Sequence, residues 1–413
     1  MILYVINHPF PSSSGFGKRC KRQLTALARK EPVTLLCRAE RPLTKARSSD
    51  SRTQDDSNLP YHIYRFSALL PHIENVGSTY RSGLYEVVRN LDIAAGFLLK
   101  ILQVLWKNRK DQVKLYVVSS PLTIPFFCSL AARLFPKTHC FVLEMHDAEP
   151  ELAMHLKHLS STSLVVRIEL WLERLMCHRF EKLVVTSTTQ QELIQKRTGK
   201  ADQSVYVLPN TVEPPKHYRP TQITQSQPLQ LIYSGNLTYD YTVNGLIEFL
   251  HLLAHQTDNT PLSYHLTVAG DGDSFLKVQA TVEELMLDDR VTLPGRVHQI
   301  DKLIAKADIA LIPWTEDPFT RTILPTKLIE YMAHGKIIIA PAFGEFRRVL
   351  THRKDAMLYN SLTEVPTILA QISSQPSDYQ TLGDEARTLY GRLYRSHRHI
   401  VTYTKFIYDT DPK

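Results

Sequence analysis

Disulfide frameworks and zinc sites are the first things this sequence lacks the means to build. It has five cysteines in 413 residues, an odd number with no Cys-x-x-Cys pair, which favours a reducing, cytoplasmic compartment. No stretch approaches the roughly 18 uninterrupted apolar residues that argue for a membrane-spanning helix. The opening MILYVI carries no basic leader and too short an apolar run for a signal peptide, so it reads as a first strand. A dinucleotide fingerprint is also missing. The AGDG run ending at Gly272 does not continue into Gly-x-Gly-x-x-Gly with an acidic residue about 20 positions on, which argues against NAD. Basic residues are not interleaved with an aromatic platform or a reader motif, so nucleic acid is set aside as a partner.

What is present is apolar content of 43% in 413 residues, enough for two cores of about 200 residues each. Charge divides unevenly between them. Residues 1–215 hold 29 Lys and Arg against 19 Asp and Glu, a net of +10, whereas the remainder holds 20 against 22. A basic first half suits an anionic substrate or surface.

Apolar runs alternate with helical periods along the whole chain, the pattern of doubly wound α/β domains. Ile2–Ile6 reads as a strand, followed by a Pro/Ser loop and a helix set by Leu24, Leu27 and Ala28. Gly15 and Gly17 at that strand-to-helix turn let backbone N–H groups approach an anion, or simply make the turn. Residues 41–60 are polar and without period, a surface loop. Residues 84–106 form a long basic amphipathic helix, of the kind that covers a sheet or lies in a membrane interface. The strand Cys140–Leu143 runs into EMHDAEPE, placing His146 and Asp147 at a carboxyl end, where open α/β sheets bind ligands. Residues 213–228 carry four prolines and no apolar period, and read as a linker between domains 1–212 and 229–383. Residues 384–413 are mainly helical in pattern.

The most informative stretch is 308–341: an apolar run at Ile309–Ile312, a polar loop, a short helix, and a second apolar run at Ile337–Ala340. Pro325 suits the first helical position and Gly335 a left-handed cap. Lys327 stands in the first turn, where helix N–H groups already present positive potential. A cation there is unfavourable by about 0.3–1 kcal/mol unless an anion offsets it. Helix N-terminus and lysine together are an arrangement that holds phosphate, and Glu330, one turn on, can accept hydrogen bonds from sugar hydroxyls beside it. A surface Lys–Glu pair on an ordinary βαβ unit fits the same residues.

The run PTKLIEYMAHGKIIIA resembles the sugar-nucleotide signature of family-four glycosyltransferases, retaining enzymes built from two Rossmann-like, doubly wound α/β domains facing a central cleft (the GT-B fold). That pattern is a glutamate, seven residues, a second glutamate, then Met-Ala-x-Gly. Glu330 matches the second glutamate, which implies a ribose-hydroxyl contact, while the first falls on Thr322. The helix is similar to a sub-group with Pro-Ser/Thr-Lys-Leu-x-Glu-Tyr-Met-Ala, whose lysine faces the diphosphate. GFGKR looks like a variant of the family's Gly-Gly-x-x-Arg, which puts Gly15 and Gly17 near donor phosphate and Arg19 on the acceptor side. The match at EMHDAEPE implies that His146 hydrogen-bonds the donor sugar, with Asp147 and Glu149 near the acceptor. VYVLPNTV resembles the segment closing the first domain. The family's diphosphate-binding Arg and Lys fall on Asn236 and Asn244, leaving Lys327, Arg321 and Arg296 to compensate. By the same resemblance the terminal helix crosses back to the first domain.

These expectations add up to a retaining hexosyltransferase-like glycosyltransferase that moves a sugar from a nucleotide-sugar donor to a hydroxyl on a glycan or lipid-linked glycan. His146, Lys327 and Glu330 carry the chemistry, no metal or other cofactor is required, and the basic first domain can touch a membrane. A non-catalytic glycan- or nucleotide-binding relative, and a nucleotide-sugar epimerase of the same fold, remain as alternatives.

Overall fold

Chain segments in which both alternating faces are apolar can only be buried on both sides, and in this protein they form the middle layers of two parallel sheets. The fold is taken from a computed structural model, which describes residues 1–10, 15–39, 59–66, 83–119, 121–216, 218–224, 227–255 and 262–408. The polar stretch expected as a loop at 41–60 falls, apart from its last two residues, outside the described residues, as does the Pro/Ser loop at 11–14. Two compact units result: Met1–Leu208 with His399–Lys413, and Pro209–Arg398.

The first unit contains β1 (Ile2–Pro9), β2 (Val33–Arg38), β3 (His62–Phe66), β4 (Val113–Ser119), β5 (Thr138–Met145), β6 (Lys182–Val185) and β7 (Val205–Val207). Their order is β3-β2-β1-β4-β5-β6-β7, all parallel. Successive side chains of β1 serve opposite faces, as a period of two requires. Leu3 and Val5 join one apolar cluster with Leu115, Val117 and Leu143. Ile2, Tyr4 and Ile6 join the other with Tyr116, Val118 and Val142. The helix Gly83–Lys107 covers the first of these faces, burying Ile93, Phe97, Ile101 and Leu105.

The second unit contains β8 (Leu229–Ser234), β9 (Tyr264–Ala269), β10 (Val291–Thr292), β11 (Ile309–Leu311), β12 (Ile337–Pro341) and β13 (Met357–Tyr359). The order β10-β9-β8-β11-β12-β13 is again wholly parallel. Leu231, Tyr233, Ile309, Leu311, Ile337 and Ile339 fill one side. Ile232, Ala310, Ile312, Ile338 and Ala340 fill the other.

Two local readings need adjustment. Pro325 is not inside the helix but caps it in an extended conformation (ψ 139°), and the helix runs Thr326–Ala333. Its end agrees with the sequence: Gly335 takes the left-handed φ of +61°. The proline-rich segment 213–228 lies against the second unit in its described part. Ile223 is buried in that unit's core, and Thr221 donates to the Gly335 carbonyl at 3.1 Å. The buried Lys336 ammonium donates to the carbonyls of Arg219 and Ala305, both at 3.1 Å. Burial pushes this lysine down to about 8, against the pull of Asp308 and with the push of Arg219.

The C-terminal pattern resolves into helices Gln380–Leu393 and Ser396–Tyr408. The first packs on the second unit. The second joins the first unit, where Tyr403 and Ile407 enter the core and Lys182 Nζ donates to the carbonyls of Phe406 (2.6 Å) and Ile407 (3.1 Å).

Candidate active site

Each sheet has one place where strand order reverses, between β1 and β4 in the first unit and between β8 and β11 in the second, and open α/β sheets bind ligands at the carboxyl ends beside such points. The sequence-predicted residues divide between these two places.

In the first unit the centre is Glu144, on β5 and fully buried. A carboxylate inside an apolar strand must find a cation or remain protonated. Arg19, from the helix Gly15–Ala28 that Gly15 and Gly17 open, supplies the cation: its Nε and Nη2 both stand 2.8 Å from Glu144 Oε1. The other oxygen accepts from Tyr116 Oη (2.5 Å) and Gln23 Nε2 (2.9 Å). Burial alone would raise this carboxyl, yet Arg19, the His146 hydrogen bond and Tyr116 hold it well below the usual range. Arg19, expected on the acceptor side, is therefore 4% exposed and taken up inside the domain, with Nη1 donating to the Leu208 carbonyl at 2.7 Å.

His146 leaves the same strand half-buried, its Nε2 at 2.9 Å from Glu144 Oε1. Its ring lies 5.0 Å from that of Phe16, which lies 4.6 Å from His8. Burial pushes His8 down to about 4, helped by Arg38 and His146. The half-buried Asp147 is raised by burial against the opposing pull of His146. Glu149, at the start of the helix Glu149–Leu156, is pushed up to about 8 by burial and by the charges of Asp147, Glu169 and Glu173. The first site thus presents two imidazoles, His146 and His8, and two carboxyl groups of reduced acidity.

In the second unit Lys327 and Glu330 sit one turn apart on the helix Thr326–Ala333, both half-buried. Pro325, in the capping place, has no side-chain acceptor for the first N–H groups. Lys327 Nζ donates to Tyr233 Oη at 3.0 Å and lies 4.1 Å from that ring's centroid and 5.5 Å from the indole of Trp314. Neutral aromatic partners stabilise an ammonium far less than water does when it is buried. Burial accordingly pushes Lys327 down to about 7, against the pull of Glu330.

Backbone packing brings β8 to the same point. Gly235 has φ +152°, and a Cβ there would stand 2.4 Å from Lys327 Nζ, so the ammonium rests directly on the main chain of the turn. Tyr331 secures that turn from below, its hydroxyl 2.7 Å from Ser234 N and 3.0 Å from Ser234 Oγ. Gly245 has a packing reason too: a Cβ would fall 1.8 Å from the Pro313 carbonyl oxygen. A lysine of lowered basicity, an uncapped helix N-terminus and a glycine turn thus stand together at a switch point, an arrangement chemically able to hold an oxyanion.

The remaining candidates are placed differently. Asn236, on the turn, is exposed and its Oδ1 accepts from Thr238 N at 2.8 Å. Asn244 is exposed on the helix Asp240–Ala254, and Arg296 is exposed after β10. Arg321 is 57% exposed and paired with Glu316. Thr322 is buried with its hydroxyl donating to the Phe319 carbonyl at 2.8 Å. Sequence reasoning missed Glu144, Tyr233 and Trp314 as site residues. For Glu144 a signal existed, an acid in the middle of the apolar run Phe141–Met145. For the two aromatic residues there was none, since they read as core.

Among the described residues no group of three or more His, Cys, Asp or Glu side chains could hold a metal ion, and no helix is long and apolar enough to cross a membrane.

Comparison with known proteins bears on the fold and the family. Residues 228–374, most of the second unit, match the family model "Glycosyl transferases group 1". N-acetyl-alpha-D-glucosaminyl L-malate synthase of Bacillus anthracis is 23% identical over 210 residues, covering 50% of this chain and 51% of that protein. The chain thus aligns with about half the length of this curated relative. Sucrose-phosphate synthase from Thermosynechococcus elongatus superposes with a TM-score of 0.70 at 16% identity, over 98% of this chain and 97% of that one. HepE from Anabaena, solved in complex with UDP, gives 0.67 at 14% identity over 98% of each chain. The fold of the chain is the two-domain GT-B fold of glycosyltransferases.

Proposed function

We propose that this protein is a retaining glycosyltransferase that takes a sugar from a nucleoside diphosphate and places it on a hydroxyl acceptor. The observation that carries this reading is Lys327, held at the switch point of the second sheet by neutral partners and lowered to about 7. Its charge is restored when a diphosphate arrives, and the positive end of the helix Thr326–Ala333 adds to the attraction. Glu330 accepts the ribose hydroxyls. His146 hydrogen-bonds the donor sugar, and Asp147 and Glu149 lie toward the acceptor.

In the reaction the acceptor oxygen bonds to the anomeric carbon as the bond from that carbon to the diphosphate oxygen breaks, with the configuration retained. The hydroxyl proton leaves with the diphosphate. Lysine and helix dipole stabilise the charge that develops on the leaving group, the largest contribution such a site can make. No metal is required in this scheme.

Uridine diphosphate sugars are the first donors to test, because the similar HepE structure holds UDP. A glycan or lipid-linked glycan is the proposed acceptor. Peripheral membrane contact belongs to the same reading: on the helix Gly83–Lys107, Leu99 and Trp106 are 70% and 63% exposed near Lys107 and Arg109.

The decisive experiment is calorimetry with UDP followed by a transfer screen with product stereochemistry read by NMR. Binding followed by an α-linked product from an α-linked donor supports the proposal. A second reading, a binding protein without transfer activity, draws on the inward-facing Thr322 and the exposed Asn236 and Asn244. It predicts UDP affinity with neither transfer nor donor hydrolysis. A changed sugar formed from donor alone would instead mark an epimerase.

A further inference from the structure

We propose that Glu144 is a positioning residue that fixes which nitrogen of His146 meets the ligand; this rests on the role given to His146 above. Glu144 is 0% exposed and anchored on both oxygens, by Arg19 on Oε1 and by Tyr116 and Gln23 on Oε2. Arg19 keeps it ionised, and an ionised carboxylate can only accept hydrogen bonds. At 2.9 Å from Oε1, Nε2 of His146 must therefore be the nitrogen that bears the proton. In the neutral ring Nδ1 is then the lone-pair nitrogen, and Phe16, 5.0 Å away, holds the ring plane.

The consequence is chemical selectivity. Nδ1 takes a group that donates a hydrogen bond, and a sugar hydroxyl does so, whereas a phosphate oxygen carries no proton to offer at neutral pH. The neighbouring carboxylate of Glu144 further disfavours an anion at this nitrogen. With that ring neutral the first unit reads a hydroxyl, and the anion is left to Lys327.

Glu144 works here through His146 and not on the substrate. Its chemistry differs from that of a purely structural ion pair because it sets a tautomer, which is directly observable. Arg19 and Glu144 alone would hold the helix to the sheet whichever nitrogen of His146 were protonated.

The test is ¹⁵N-histidine NMR of the full-length protein, with His146→Gln used to assign its signals. The expected result is a protonated Nε2 and an unprotonated Nδ1. An Nδ1-protonated ring in the wild-type protein overturns the proposal without any variant having to fold. Glu144→Asp keeps the charge that Arg19 needs but withdraws the acceptor from His146. It should mix the two tautomers and lower kcat by about 10–100-fold, the range seen when a metal-bound histidine loses its orienting carboxylate, with donor KM within about twofold. A variant that keeps both the wild-type tautomer and the wild-type kcat overturns it. Should the Nε2–H form be found in a protein that transfers no sugar, the tautomer assignment stands and the reading of the function falls.

Discussion

The two units have sheets wound in the same sense, with the strand order reversing once in each, and both place a cation beside the reversal. They handle it in opposite ways. In the first, Arg19 is matched inside the domain by Glu144, so its charge is spent on architecture. In the second, Lys327 rests on a phenol and an indole, with no carboxylate against its ammonium among those contacts, and in the proposed function an anion completes it. A buried cation thus says little about function by itself; the chemistry of its partners decides whether it braces a fold or awaits a ligand.

The sharpest way to break this contrast is to remove each cation. Arg19→Ala leaves Glu144 buried without its partner, and loss of one member of a buried pair costs about 3–5 kcal/mol. Chemical denaturation should show that loss. Lys327→Ala should lower kcat by about 10²–10³, as for one charge-stabilising donor, while the denaturation midpoint stays near the wild-type value. If instead Lys327→Ala unfolds the protein with turnover per folded molecule unchanged, the second cation is structural like the first.

The acidity of Lys327 gives a gentler test. Above about pH 7 it is largely neutral, and diphosphate binding favours the charged form, so binding takes up a proton there. UDP affinity should fall by up to about tenfold per pH unit above that value, and calorimetry in two buffers of different ionisation enthalpy at pH 8 will count the proton. Stability follows the reverse course. Because the folded state holds this lysine below its unfolded value, Lys327 contributes stability that rises from about pH 7 toward the unfolded value and is lost as pH falls through the folded one. Glu149 works the other way: it is raised to about 8, so its contribution, present at low pH, declines as pH climbs from the unfolded carboxylate range through that value. Lys327→Met should therefore raise the melting temperature at pH 6 by a few degrees and flatten its dependence on pH. The smallest effect is reserved for a chelator: EDTA should leave the transfer rate unchanged, since lysine and helix meet the phosphate charge.

Much of this architecture was legible in the chain. Ile309–Ile312 and Ile337–Ala340 announce a two-faced buried layer because nothing polar interrupts them, and Gly335 marks the helix end because only glycine takes φ near +61° without strain. Lys327 stood out because a lysine in a first helical turn is electrostatically misplaced without an anion. What lay beyond reach was partnership at long range. Arg19 and Glu144 are 125 positions apart and meet only because the sheet order brings β5 within reach of a side chain on the helix after β1. No local period encodes that adjacency, so the sequence offers Arg19 no partner within the fold, whereas the structure pairs it with Glu144 on a strand. Long-range partnership also governs Lys336, which is 0% exposed and bonded to the carbonyls of Arg219 and Ala305.

The chain passes from one unit to the other twice, after Leu208 and again before His399. Neither half is therefore a contiguous cassette. A fragment stopping at Leu208 would leave Lys182, Tyr206 and the seat of Tyr403 bare, and would be prone to stick to its neighbours rather than fold. Anyone wishing to study the histidine-bearing half alone must graft its last helix back on, and exchanging the second unit for another requires two junctions instead of one.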